Sequence, residues 1–303
     1  MSAKLPPIAA AALLLAACAP VPGSVPAPAA AQTGAVTPQQ WATACPDDAG
    51  WDDPGPPFRI HGNSWYVGTC GIAAILITGD EGHVLIDSGT EKGATVVADN
   101  IRRLGFRVED VKLLLASHEH FDHVGGMAAL QALSGAELAV APDAALVLSS
   151  GRPAPDDPQF GVLPEMAPAN VGTALPQDGR VMLGSIRLQA VPTPGHTAGA
   201  TTWQWQSCQG SDCRSIVYAD SLSAISSDSY RFSDHPDYVQ AFRDGLARLE
   251  RLDCDMIVTP HPSASALNRR AAAGLAADPA GCAAYARAKA VQLDARLAKE
   301  QGR

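Results

Sequence analysis

The sequence feature that most constrains this chain is a run of three histidines and one aspartate within six residues. It reads Ser117-His118-Glu119-His120-Phe121-Asp122-His123 and directly follows the apolar run 111–116. A short aliphatic run of this kind predicts a buried β-strand. The loop that leaves such a strand is where open α/β sheets place their ligand sites. A solvated polar loop would explain one histidine but not four such side chains together, so the run predicts a metal site.

The spacing within this run indicates which side chains act together. His118 and His120 lie two residues apart, so in extended backbone both point the same way and can bind one ion. Asp122 and His123 follow at once, where a turn could direct them at a second ion. Neutral imidazole and carboxylate are ligands that zinc takes.

Two further histidines lie far away in sequence, each in a proline-containing turn after an apolar run. His196 follows the run 186–191, and His261 follows the run 256–258. Either one alone is more typical of a structural loop histidine. Together with the first run they are expected to supply the third and sixth ligands of two tetrahedral sites. The other three histidines are interpreted as structural or surface residues: His61, His83 and His235.

The order His-x-His-x-Asp-His, Pro-Gly-His-Thr and Thr-Pro-His-Pro resembles the metallo-β-lactamase fold and, within it, class B, subclass 3 enzymes. The resemblance runs from about Cys45 to the C-terminal helix. It implies an αββα sandwich of two β-sheets with outer helices, and hydrolysis of the β-lactam amide of penicillins, cephalosporins and carbapenems. It also implies two Zn²⁺ per subunit. The implied ligands are His118, His120 and His196 for one zinc, and Asp122, His123 and His261 for the other.

The resemblance also implies roles around the metals. Hydroxide on the zinc ions would attack the lactam carbonyl, and Asp122 would orient it or move its proton. Ser221 would lie near the water of the second zinc, and Ser223 would bind the carboxylate of the substrate. In the proline-rich stretch 149–177, interpreted as a long loop, Gln159 is a candidate to hydrogen-bond the substrate or the water.

Two further aspartates, Asp87 and Asp220, lie at the ends of predicted strands, where each could be a metal ligand or a supporting residue. Asp220 could act as a bridging ligand, as in other hydrolases of the wider fold. With the serine interpretation adopted, it is assigned a structural role. Asp87 is expected to orient a ligand or to cap a helix.

The cysteine count favours an exported, disulfide-bonded domain. Six cysteines remain when Cys18 is set aside, and six allow 15 pairings. Proximity in sequence favours Cys208–Cys213, which would close a turn between two strands. The resemblance suggests Cys254–Cys282 and leaves Cys45–Cys70. Free buried thiols are the alternative, which an oxidising compartment disfavours.

The N-terminus is typical of a targeting segment. Residues 1–17 combine Lys4 with a short apolar stretch and end in Leu-Ala-Ala before Cys18, which resembles a bacterial lipoprotein signal. Cys18 would then be lipidated, anchoring the protein to the outer membrane from the periplasm. Cleavage near residues 29–31 is the alternative and would give a soluble periplasmic protein. Residues 18–40 are rich in proline and alanine and predict a disordered tether, followed by a metallo-β-lactamase domain over 41–303.

Composition limits the partners and leaves three rival functions. The net charge of −9 argues against a nucleic-acid surface. A small-molecule substrate and a monomer are expected. A lactonase and a glyoxalase-type thioester hydrolase would show the same metal cluster, although the export signal, the disulfides and the two serines argue against the cytosolic thioester enzyme. A non-catalytic zinc-binding lipoprotein is the alternative of another class, which the mixed Asp/His second site disfavours.

Periodicity and turn residues predict alternating strands and helices. The predicted strands are 64–67, 72–78, 83–86, 111–116, a strand ending at 140–142, 186–191, 199–207, 215–218 and 256–258. The predicted helices are 88–104, 127–133, 143–149, 236–252 and 282–300.

Overall fold

The computed structural model describes residues 1–2 and 34–302. The predicted signal peptide, the lipidation candidate Cys18 and most of the predicted tether therefore lie outside the described residues. Residues 34–302 belong to one compact unit.

Two mixed β-sheets form the centre of this unit. The first sheet has the order β1-β2-β3-β4-β5-β6-β7. Its strands are β1 Phe58–His61, β2 Ser64–Tyr66, β3 Ile75–Ile77, β4 His83–Ile86, β5 Val111–Leu115, β6 Glu137–Val140 and β7 Val171–Ala174. Neighbours are antiparallel from β1 to β4 and parallel from β4 to β7.

The second sheet has the order β12-β11-β10-β9-β8, with β11 and β12 parallel and the other neighbours antiparallel. Its strands are β8 Arg180–Leu183, β9 Ile186–Pro192, β10 Thr201–Gln209, β11 Asp212–Tyr218 and β12 Met256–Val258. The helices are α1 Pro38–Ala44, α2 Gly93–Arg103, α3 Phe121–Val124, α4 Met127–Ser134, α5 Pro142–Ser150, α6 Pro236–Glu250, α7 Leu267–Ala272 and α8 Gly281–Glu300.

Alternation along the strands divides the core into three layers. In β3, Ile75 and Ile77 point into the cluster between the sheets, whereas Leu76 points to the opposite face. That outer face packs against α2, α4 and α5. The outer face of the second sheet packs against α6 and α8. The predicted αββα sandwich is confirmed.

The folded domain begins earlier than predicted. Helix α1 starts at Pro38, inside the predicted tether, because Thr37 and Gln40 form a reciprocal capping box at its N-terminus. Trp41 is buried against Phe58 and Tyr66. Helix α1 thus begins three residues before the predicted boundary at residue 41 and packs on the first sheet.

Two other boundaries differ from the predictions for local reasons. The stretch 149–177 is not loop throughout, because Val171–Ala174 forms β7 and pairs with β6. The residues of β7 are mostly exposed and show no alternation of apolar and polar side chains, so pairing with β6 alone makes this segment a strand. The helix predicted from residue 88 begins at Gly93 instead. Ser88 forms part of a turn in which its backbone N–H donates to the carbonyl of His123.

No helix within residues 1–2 and 34–302 combines the length and apolar character needed to cross a bilayer. The fold brings the C-terminal ends of several strands together at one side of the sandwich, which we call the common edge. Strands β4, β5, β9, β11 and β12 all end beside the predicted metal ligands, and the loops leaving them form the site.

Candidate metal centre

The histidine-rich loop after β5 is held by Asp87, which follows the end of β4. The Asp87 carboxylate accepts hydrogen bonds from the Ser117 backbone N–H and hydroxyl, each at 2.7 Å, and from the Tyr218 hydroxyl at 2.8 Å. Asp87 adopts a left-handed backbone conformation with φ 63°. It does not cap a helix, and its role is to fix the start of the ligand loop.

Three histidines from two loops converge and form what we call the first cluster: His118, His120 and His196. One nitrogen of each lies within 4.8 Å of the others. His118 and His120 leave β5, and His196 lies in the turn after β9. The structure thus brings together the three residues that the resemblance assigned to one ion.

The remaining ring nitrogen of each histidine in the first cluster meets an oxygen from another loop. Nδ1 of His118 lies 2.8 Å from Oδ1 of Asp220, and Nε2 of His120 lies 3.0 Å from Oδ2 of Asp157. Nδ1 of His196 lies 2.9 Å from the backbone carbonyl of Ser223. Such acceptors fix the tautomer and orientation of a metal-binding imidazole.

The opposite nitrogen of His118 supports the presence of a ligand. Its Nε2 is buried and has no hydrogen-bond partner among the described residues. A buried polar atom without a partner is costly unless something else binds it. Because Nδ1 donates to Asp220, Nε2 carries a lone pair, which is what a metal ion requires.

Asp122, His123 and His261 form the second cluster. Oδ2 of Asp122 lies 3.0 Å from Nε2 of His123 and 3.3 Å from Nε2 of His261, and the two nitrogens are 3.3 Å apart. Tetrahedral coordination with bonds near 2.0–2.1 Å separates ligand atoms by about 3.3 Å. The side chains of the second cluster therefore fit one cation, and His118 lies close enough to Asp122 and His123 to link the two clusters.

Burial and the neighbouring charges together shift the pKa values of these groups, and for every group except His123 the shift is in the direction that metal binding needs. Desolvation lowers the pKa of His118, His196 and His261, so these imidazoles stay neutral. Burial alone would raise the pKa of Asp122, but His123 and the hydrogen bonds from His123 and His261 hold it well below its usual range. Burial would lower the pKa of His123, which the Asp122 carboxylate instead raises. These directions describe the protein without an ion, which would replace the protons.

The buried carboxylate of Glu119 joins the two ligand loops of the first cluster. It accepts hydrogen bonds from the Thr197 hydroxyl at 2.7 Å and from the Gly199 backbone N–H at 3.0 Å. The turn that carries His196 is thereby tied to the segment that carries His118 and His120. Burial raises the pKa of Glu119.

The two candidate substrate-binding serines lie directly after β11. Ser221 is buried, and its hydroxyl has no hydrogen-bond partner among the described residues. Ser223 is half-buried, and its hydroxyl donates to the backbone carbonyl of Ser221 at 3.1 Å. Both lie beside the first cluster, because the Ser223 carbonyl holds His196.

Gln159 lies close to the site, but its neighbour Asp157 makes the observed contact. The backbone N–H of Gln159 donates to Oδ1 of Asp157 at 2.6 Å, while Oδ2 of the same carboxylate faces His120. A role of the Gln159 amide in binding substrate stays a prediction.

Three carboxylates hold the ligands from outside the clusters: two were not indicated by the sequence, and the third, Asp220, was expected to be structural. Asp157 lies in the proline-rich stretch with no motif to mark it, and Glu119 was passed over between two ligands. Asp220 is structural in the specific sense that it orients His118. The sequence signal that pointed to Asp220 was its position just after a strand predicted to end near the metal ligands.

The other histidines lie outside the metal centre. His61 contacts the Asp212 carbonyl, His83 packs edge-on against Phe106, and His235 stacks on a tyrosine. The three cysteine pairs are Cys45–Cys70, Cys208–Cys213 and Cys254–Cys282, as expected from the sequence and the resemblance.

An αββα sandwich with clustered His and Asp side chains at the common strand edge defines a metal-dependent hydrolase class. The family model of the metallo-beta-lactamase superfamily matches residues 67–261, so the chain belongs to this superfamily.

Solved structures add detail to this assignment. The chain is 54% identical to the MIM-2 metallo-beta-lactamase, covering 88% of this chain and 99% of that one with a TM-score of 0.84. MIM-1 from Novosphingobium pentaromativorans is 48% identical, with coverages of 86% and 98% and a TM-score of 0.83. MEM-A1, a subclass B3 enzyme from a soil metagenome library, is 40% identical, with coverages of 84% and 99% and a TM-score of 0.80. The resemblance to subclass B3 is confirmed.

Curated sequences give a more distant match. A probable metallo-hydrolase of Mycobacterium tuberculosis is 31% identical over 100 residues, which cover 24% of this chain. The chain spans about a third (32%) of the length of that relative.

Proposed function

We propose that this protein hydrolyses the β-lactam amide of penicillins, cephalosporins and carbapenems and so gives antibiotic resistance. Two observations together carry the proposal. The chain aligns with almost the whole of the MIM-2 metallo-beta-lactamase, and its own six candidate ligands converge at the common edge of the sandwich. Neither observation alone would define the substrate, because the superfamily includes many hydrolases with similar ligands.

We propose two Zn²⁺ ions as the cofactors, one in each cluster. The donor set of imidazoles and a carboxylate suits zinc. Each cluster supplies three protein ligands, which leaves a position for water or substrate as in catalytic zinc sites. A closed four-ligand site would instead suit storage, so this arrangement disfavours a non-catalytic zinc-binding protein. Bound zinc would generate a nucleophile from water at neutral pH and would polarise the lactam carbonyl.

The residues of the chain would divide the remaining work. Asp122, kept ionised by its neighbours, would accept a hydrogen bond or a proton from the attacking water and so act as the catalytic carboxylate. Ser223 would donate a hydrogen bond to the substrate carboxylate, and Ser221 would lie near the water of the second zinc. Gln159 is a further candidate to hydrogen-bond the substrate or the water. Asp220, Asp157 and Glu119 would keep the ligands in place.

Steady-state hydrolysis by the purified protein tests this function. We expect turnover of a penicillin, a cephalosporin and a carbapenem, its loss on treatment with a chelator, and its return with zinc. Lactones and glutathione thioesters are assayed in parallel, with the His118→Ala variant as the inactive control. Turnover of those substrates without β-lactam hydrolysis would assign the protein to the lactonase or thioesterase class, and bound zinc without any turnover would support the storage function.

We also propose that the protein is exported to the periplasm, acts as a monomer and is lipidated at Cys18. Three disulfides support export, because such bonds persist in oxidising compartments. Labelling cells with radioactive palmitate is expected to mark the wild type but not Cys18→Ser. Unlabelled, soluble periplasmic protein would indicate cleavage near residues 29–31 instead.

A further inference from the structure

A buried lysine lies behind the serine loop and takes no part in the functions described so far. Lys289, on α8, is 8% exposed, and its Nζ donates to the Ser223 hydroxyl oxygen at 2.6 Å. The ion pairs of the described residues include none with Lys289. Lysine is almost never fully buried unless it is paired. Here the close partner of the ammonium is a neutral hydroxyl, so the positive charge lacks a counter-anion in contact with it.

The contact with Lys289 determines what the Ser223 hydroxyl can do. A serine hydroxyl has one proton to donate and two lone pairs that accept. One lone pair accepts from Lys289, while the proton is directed at the Ser221 carbonyl, 3.1 Å away. That proton can turn to an arriving anion without breaking the contact with the ammonium. The adjacent Ser221 hydroxyl is buried and without a partner among the described residues, so it offers a second donor.

Helix α8 holds Lys289 rigidly at this place. The Cys254–Cys282 disulfide ties the first turn of the helix to the end of the second sheet. One turn before Lys289, the Tyr285 hydroxyl donates to the carbonyls of Ser221 and Asp220 at 2.7 and 3.1 Å. The Lys289 ammonium also lies 5.1 Å from the centre of the Tyr285 ring. Helix α8 therefore contacts the serine loop through both Tyr285 and Lys289.

We propose that Lys289 is a positioning residue for an anionic substrate, orienting the Ser223 hydroxyl and placing a positive charge behind it. This inference rests on the proposed function, because β-lactam antibiotics carry a carboxylate. The chain has a net charge of −9, so its overall field opposes the approach of an anion. A buried ammonium beside the binding serines offsets that repulsion where the carboxylate binds.

The test compares one antibiotic with and without its negative charge. Kinetics are measured with benzylpenicillin and with its methyl ester, for the wild type and for Lys289→Met, which keeps an unbranched side chain but lacks the ammonium group. Hydrogen bonds to charged groups are the strong ones, so we expect KM for the acid to rise about tenfold. KM for the ester and kcat for both substrates should change by less than about threefold. Lys299→Met is the matched control, since it removes the same charge from an exposed position on the same helix.

Two further variants distinguish this role from a purely structural one. Lys289→Arg keeps the charge and should restore part of the selectivity for the acid. Ser223→Ala should reproduce the rise in KM for the acid. The double variant should raise KM by less than the product of the two single effects, because the two residues act in part through one contact.

Each outcome has a separate meaning. If the wild type hydrolyses benzylpenicillin but Lys289→Met and Ser223→Ala weaken acid and ester equally, or leave both unchanged, the inference is overturned and the function stands. Should Lys289→Met fail to fold, Lys289→Gln, which removes the charge and keeps a polar end, takes its place in the comparison of acid and ester. If the wild type hydrolyses neither compound, the proposed function fails and the inference fails with it.

Discussion

The two ligand clusters differ in what surrounds them. Every histidine of the first cluster has one ring nitrogen facing an oxygen from a different loop. The three side chains of the second cluster contact one another closely. Nδ1 of His123 lies 3.7 Å from Oδ2 of Asp87 but makes no hydrogen bond there, and the His261 side chain is 28% exposed. Outer acceptors fix the direction of an imidazole before the ion arrives. The comparison indicates that the first cluster is preorganised by the fold, whereas the second depends more on the ion itself.

Removing one ligand from each cluster is the strongest test of this difference. His196→Ala should lower kcat/KM about a thousandfold, since a catalytic metal contributes several kcal/mol. His261→Ala should lower it less and should keep the metal of the first cluster. Metal content per chain after dialysis is measured together with kcat/KM. A His196→Ala protein that keeps more metal than His261→Ala would reverse the comparison.

A smaller change tests the outer acceptors alone. Asp157→Asn removes the negative charge that faces His120 without touching a ligand, and it should weaken binding of the metal in the first cluster about 10–100-fold. Competition with a chromophoric chelator measures that affinity. Asp156→Asn is the matched control, because it removes the same charge from the adjacent exposed residue. Equal weakening by both variants would mean that the surface charge, not the contact with His120, determines affinity.

The contrast between ligands and outer acceptors also marks how far the sequence predicts the site. Four ligands fall within six residues, and the spacing of His118 and His120 alone indicates a shared ion. His196 and His261 could be predicted as ligands only from the proline-containing turns in which they lie and from the family resemblance. Local patterns of this kind are available in the sequence because the chemistry requires particular residue types close together.

The outer contacts are not local, and so they could not be predicted. Which oxygen meets His120 depends on how a proline-rich loop folds over the β5 loop, and nothing around Asp157 marks that outcome. The same holds for β7, whose exposed residues form a strand only because β6 lies beside them. The start of α1 was predictable in principle from the capping pair Thr37 and Gln40, but the composition around it favoured a tether.

The mildest test concerns Glu119, which joins the two loops of the first cluster. Glu119→Ala leaves the Gly199 N–H without its acceptor, and it should lower the free energy of unfolding of the metal-free protein by about 1–3 kcal/mol. Glu119→Gln should cost much less, because the amide oxygen can accept from Gly199 while its NH₂ group donates to the Thr197 hydroxyl. Urea denaturation measures both variants, with Glu109→Ala at an exposed position as the control. Equal destabilisation by Ala and Gln would show that the negative charge, rather than the hydrogen-bond geometry, holds the His196 turn against the β5 loop.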